Sequence, residues 1–101
     1  GVAQALTGVK KKFDRVAEKE ENIPHLDDCI TAFARGQTGE GIVALVEILK
    51  ALPTEHFDET SRRILAECGQ RLGEFHESHT EETHVEYLLL TLHVLDNGWH
   101  P

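Results

Sequence analysis

Five stretches of this chain place their apolar residues three and four positions apart, and none alternates apolar with polar over a useful length. A helix turns once in 3.6 residues and a strand side chain repeats every second residue, so this spacing admits helices and excludes a sheet. In the first stretch the stripe is Val2, Leu6, Val9, Phe13 and Val16, with Ile23 one heptad further on. Asn22 and Pro24 interrupt it, because proline has no N–H to give to a continuing helix but is tolerated in a first turn.

The second stretch carries Leu26, Cys29, Ile30 and Phe33, with Arg35 and Gly36 as stop signals. The glycine-containing run from Gly36 to Gly41 reads as a connector. It lacks the Lys and Ser/Thr that a phosphate cradle needs after its last glycine, and Glu40 would repel phosphate. The third stretch has Ile42, Leu45, Val46, Leu49 and Leu52 on one face, widened by Val43 and Ile48, which suggests cover on more than one side. Its end at Leu52 follows from Pro53.

Thr54 reads as an N-cap for a fourth helix using Phe57, Ile64, Leu65, Cys68, Leu72 and Phe75. Ser78 with Glu81 forms a capping-box pattern for a fifth. The fifth carries Val85, Leu88, Leu89, Leu92 and Leu95, joined by Leu90 and Val94, and ends at Asn97-Gly98. The prediction is an all-α, compact bundle of about five antiparallel helices, with the third and fifth at the centre and the others wrapped around them.

At 101 residues the chain is one domain, residues 1–101, and its start at Gly1 without a methionine reads as a piece excised from a larger protein. Its net charge of −8 opposes binding to a nucleic acid backbone, which requires clustered cations. No apolar run spans a bilayer, so no transmembrane segment is expected. Cys29 and Cys68 fall in apolar helical phases, which suits buried thiols in a cytoplasmic, intracellular setting better than a disulfide framework. Asp28 and Glu67 beside them would raise their pKa values, so neither reads as a nucleophile.

Histidine is the strongest local anomaly. His76, His79, His84, His93 and His100 share the C-terminal region with a run of glutamates. Glu81 and His84, three apart, with His76 and His79 nearby, offer the alternative of a metal-binding helical bundle. Solvated histidines are the simpler reading, since a bundle site needs two such pairs and further carboxylates. That region holds no Lys or Arg from Leu72 onward, so its charge would also respond to pH.

The first helix is basic through Lys10, Lys11, Lys12, Arg15 and Lys19, and facing the acidic C-terminal half of the same fold is its simplest use. Gly69-x-x-x-Gly73 costs helix stability, about 1 kcal/mol per glycine relative to alanine, and so points either to close helix approach or a shallow groove, or equally to a locally weak helix that packing tolerates. Trp99 is the single tryptophan, a residue enriched at binding hot spots, although a terminal tryptophan folded back to cover the bundle is at least as common. No catalytic motif is present.

The expectation is therefore a non-catalytic, adaptor-type protein-interaction domain without a cofactor. Its expected partner segment is an amphipathic helix or an acidic stretch, held in a helix-lined groove. The candidate residues are Gly69, Gly73, Phe75 and Trp99, with Lys11, Lys12 and Arg15 as a second surface. Pairing of two copies, and carriage of a small apolar ligand, are further options. The helical rhythm from Pro24 to Phe57 resembles that of harmonin-homology hubs, and Leu52 to Phe57 resembles a stretch of Rho-family GTPase-activating domains. Neither carries a specific motif, and no family is assigned.

Overall fold

In the computed structural model, which describes residues 1–16, 25–52, 54–78 and 84–98, the apolar stripes become helices close to where the periodicity places them. Among the described residues these are α1 (Val2–Val16), α2 (Leu26–Ala34), α3 (Thr38–Ala51), α4 (Glu59–Ser78) and α5 (His84–Asn97), with a single 3-10 turn at Thr54–His56. The described part is an all-α bundle without a strand element. No helix among the described residues is long and apolar enough to cross a membrane.

The helix ends follow local chemistry. Gly36 takes the left-handed conformation (φ 73°) that a side chain would resist. Its N–H then bonds the Phe33 carbonyl while the Gln37 N–H reaches back to Ala32, the paired bonds of a Schellman stop. Leu52 is extended (φ −61°, ψ 140°), as a residue before proline must be, and closes α3.

Three local expectations are corrected. Residues Thr38 to Gly41 belong to the first turn of α3, so the connector shrinks to Gly36 and Gln37. Thr54 begins the 3-10 turn, and the N-terminal side-chain cap of α4 is Asp58, whose Oδ1 accepts the Ser61 N–H at 2.7 Å. Ser78 is the last residue of α4 and does not open α5, while Glu81, its expected capping partner, lies outside the described residues.

The helices pack as a closed cycle in which each lies against its neighbours in sequence and α1 closes on α5. Among the described residues no helix is central, which corrects the placement of α3 and α5 inside the others. The reason lies in α5, where Val85, Leu89 and Leu90 are exposed while Leu88, Thr91, Leu92, Val94 and Leu95 turn inward. The core is assembled from one face of every helix: Leu6, Val9 and Phe13 from α1, Leu26 and Cys29 from α2, Ile42, Leu45 and Ile48 from α3, Leu65 and Leu72 from α4. Full burial of each such aliphatic side chain stabilises the fold by about 1.5–3 kcal/mol.

Thr91 is buried among these apolar residues and satisfies its hydroxyl by donating to the Tyr87 carbonyl at 2.7 Å. Ion pairs tie α1 to both flanks. Lys10 Nζ meets Asp27 of α2 at 2.6 Å, and Lys12 Nζ meets Asp96 of α5 at 2.6 Å. The hydrogen bond with Asp27 holds the Lys10 pKa above its ordinary value.

Candidate protein-interaction surfaces

Closing a ring of helices leaves seams wherever the side chains between two helices are small or turned outward. The α1/α5 seam is one. Gly1, just before α1, and Ala5 and Gly8 within it follow at steps of four and three, so the first two turns carry a stripe with almost no side chain. Opposite stand Leu89 and Leu92 of α5, and together these residues bound an open cleft of about 530 Å³. A Cβ added at Gly8 would meet nothing within 4 Å. Leu89 is 59 % exposed and Val85, one turn earlier on the same face, is 47 % exposed. At the end of the α1 stripe lies Lys12, which bonds both the carboxylate (2.6 Å) and the backbone carbonyl (2.9 Å) of Asp96. Lys11 is exposed beside it.

That ion pair realises the expected complementarity between the basic first helix and the acidic C-terminal region at one point. Arg15 lies in the last turn of α1.

A second seam separates α3 from α4. Gly69 is buried there, and a Cβ at this position would make ordinary contact with Leu49 at 3.6 Å. With Val46, Leu49 and Ala66 it lines a depression of about 310 Å³. Gly73 is not part of that lining, and a Cβ there would meet open space. The Gly69-x-x-x-Gly73 pair therefore does not mark backbone-to-backbone approach of two helices. Gly69 contributes to a shallow groove, and Gly73 is a locally weak point in α4. Phe75 lies in α4, near its C-terminal end, and Trp99 lies outside the described residues. The four residues are not gathered into one surface by any described contact.

The histidine-rich stretch is divided in the same way. His76 belongs to α4 and His84 is the first residue of α5, whereas His79 and Glu81 lie outside the described residues. Among the described residues no three side chains of His, Cys, Asp and Glu come together as a metal site would require.

Both cysteines are buried free thiols. Burial pushes the Cys29 thiol from 9.0 up to about 12, and its Sγ donates to the Gly41 carbonyl at 3.4 Å. Burial also raises Cys68, opposed by a hydrogen bond with Thr91 and reinforced by Glu67. The direction agrees with the sequence reading but the leading cause differs: desolvation outweighs the neighbouring carboxylates. Thiols held protonated in this way are poor nucleophiles at neutral pH.

A third seam lies between α2 and α3, lined by Asp28, Glu40, Val43, Ala44 and Glu47 with a volume of about 470 Å³. Neither this seam nor the α1/α5 seam was singled out by the sequence. Two signals bear on them in retrospect: the small-residue stripe Gly1-Ala5-Gly8, and the excess breadth of the α3 apolar face.

Among the described residues the fold is an all-α helical bundle with open seams between α1 and α5, α2 and α3, and α3 and α4. Comparison with known proteins adds no family, since no protein-family model, no curated protein and no solved structure matches the chain.

Proposed function

We propose that the chain is a non-catalytic protein-interaction domain of the adaptor type, seating an amphipathic helix of a partner protein in the α1/α5 cleft. The observation that carries this reading is the pairing of a bare stripe on α1 with the outward-turned Leu89 on α5. A helix laid in such a groove brings its apolar face against leucine on one side. On the other, small residues let its backbone come close. Lys11 and Lys12 at the end of the stripe favour acidic residues on the incoming helix, which combines the two kinds of partner segment expected from the sequence. Val85 and Leu89 leave an exposed apolar strip beside the cleft, which an incoming helix would cover.

The test compares affinity capture by the wild-type chain with capture by Leu89→Lys, Gly8→Leu and Gly69→Leu. Loss of the same partner from the first two variants, with retention by the third, supports the reading. Loss from Gly69→Leu alone would move the site to the α3/α4 depression. Sedimentation that shows a dimer broken by Leu89→Lys would make the occupant a second copy, and turnover of a substrate by the bare chain would overturn the non-catalytic assignment.

A further inference from the structure

The α2/α3 cleft differs from the other two in its charge. Val43 and Ala44 of α3 give it an apolar strip, Glu40 and Glu47 of α3 and Asp28 of α2 flank that strip with carboxylates, and His25 and Gly39 complete the lining. Val43 is 40 % exposed, so the breadth that the sequence assigns to the α3 apolar face is only partly used by neighbouring helices. Glu40 and Glu47 are seven residues apart. That is two turns, about 10 Å along the axis, with Val43 and Ala44 in the turn between them. A rim carboxylate, an apolar strip and a second rim carboxylate therefore follow one another along one line of the helix.

Among the described residues no lysine or arginine lines the cleft, and His25 is its one basic side chain. Lys50 reaches Glu47 at 3.4 Å in an exposed pair, and neither Asp28 nor Glu40 forms an ion pair with a described residue. Asp27, beside Asp28, is already engaged by Lys10. On a chain of net charge −8, this cleft concentrates negative potential over an apolar strip.

We propose that this cleft docks a cationic amphipathic helix of a partner protein. Its apolar side chain would rest on Val43 and Ala44, and lysines or arginines one turn to either side would face Glu40 and Glu47, with Asp28 closing the opposite rim. Charge selects the occupant: an acidic helix is repelled here and an anionic lipid surface equally so, whereas a basic helix gains at every rim position. The site is separate from the α1/α5 cleft and of opposite preference, so two different partners can be held by one copy of the chain.

The probe is a fluorescein-labelled model peptide of leucine and lysine at helical spacing, titrated by anisotropy at low salt, beside the same peptide with glutamate in place of lysine. Neutralising the rim with Asp28→Asn, Glu40→Gln and Glu47→Gln should weaken binding of the basic peptide about tenfold, the sum expected of several exposed charge pairs. A control variant with the same loss of charge elsewhere, Glu59→Gln, Glu67→Gln and Glu74→Gln, should weaken it less than about twofold. Amide shift perturbations on the wild-type chain should centre on the residues between Asp28 and Glu47. They provide an independent readout should the rim variant fold poorly. Equal weakening by the two triple variants, binding of the glutamate peptide with comparable affinity, or shifts centred on α1 and α5 would each overturn the proposal. Leu89→Lys should leave this binding unchanged, so failure here and failure of the α1/α5 reading are separately visible.

Discussion

Gly41 sits under the ring of Phe33, so close that a Cβ at position 41 would lie 2.7 Å from Cε2 of the ring. The first turn of α3 lies close against α2 here, and the Cys29 thiol of α2 donates to the Gly41 carbonyl at 3.4 Å. Gly41→Ala sets two effects against each other. Alanine gains about 1 kcal/mol of helix propensity, whereas pushing the ring aside costs about 1–3 kcal/mol. The difference is a net loss of about 0–2 kcal/mol, and because Phe33 is only half-buried and can yield in part, about 1 kcal/mol or less is expected by urea denaturation. Gly73→Ala, with open space around its Cβ, should instead stabilise by about 0.5–1 kcal/mol. A Gly41→Ala protein at least as stable as wild type would show that α2 and α3 are not held in this register.

Asp58 caps α4 through the Ser61 N–H at 2.7 Å. Asp58→Ala should cost about 1 kcal/mol and Asp58→Ser a fraction of that, because serine also accepts from the N3 amide. The carboxylate adds a favourable interaction with the helix dipole that salt screens, so the gap between Asp and Ser should narrow at high ionic strength. Equal stability of the alanine and wild-type chains in thermal melts would place the cap elsewhere.

The helices were legible in the sequence because their signal is redundant. In α1, Leu6, Val9 and Phe13 each repeat the same statement about one face, and all three are buried. Stop signals such as Gly36 and Pro53 were equally readable, since one residue type suffices to produce them. The start of α4 was misplaced because Thr54 and Asp58 are both competent caps, and the choice depends on the 3-10 turn between Leu52 and Phe57. The cyclic arrangement was hidden for a different reason. Val85 and Leu89 look like core residues in any periodicity argument, and only the position of α1 decides that they stay outside. The candidate surfaces depend on those same placements. Gly69 was identified from its cost to the helix, whereas the Asp28, Glu40 and Glu47 rim joins two helices and has no signature in either alone.

Cys29 gives the chain a pH dependence of known sign. Its thiol is raised from 9.0 to about 12 by burial. In the unfolded chain the group loses its proton near 9.0 while the folded chain keeps it, so the folded state binds more protons across this interval. Stability from this source is complete below the unfolded value and is lost as pH rises toward the folded one. Denaturation midpoints should therefore fall between pH 9.0 and about 12, and Cys29→Ala should flatten the decline while lowering stability at neutral pH. Thiol titration with an aromatic disulfide at pH 8 should be slow for the native chain and fast in denaturant. Rapid labelling of Cys29 in native conditions would contradict its burial.

Lys12 and Asp96 join the first and last helices at the edge of the α1/α5 cleft, with both side chains nearly half-exposed. Exposure decides what the pair can do. Water screens the attraction and both side chains lose rotamer freedom, so a double-mutant cycle with Lys12→Gln and Asp96→Asn should give a coupling of about 0.2–1 kcal/mol. About 1 M salt shortens the screening length to about 3 Å and should remove most of that coupling. A pair this weak ties α1 to α5 without locking them, so an entering helix can displace Lys12 onto its own carboxylates at little expense. Asp96→Asn should then leave stability almost unchanged while strengthening capture of an acidic amphipathic partner, because Lys12 is released. A coupling above about 2 kcal/mol that persisted in high salt would mark the pair as a structural clamp, and a seam clamped in that way could not open to receive a helix.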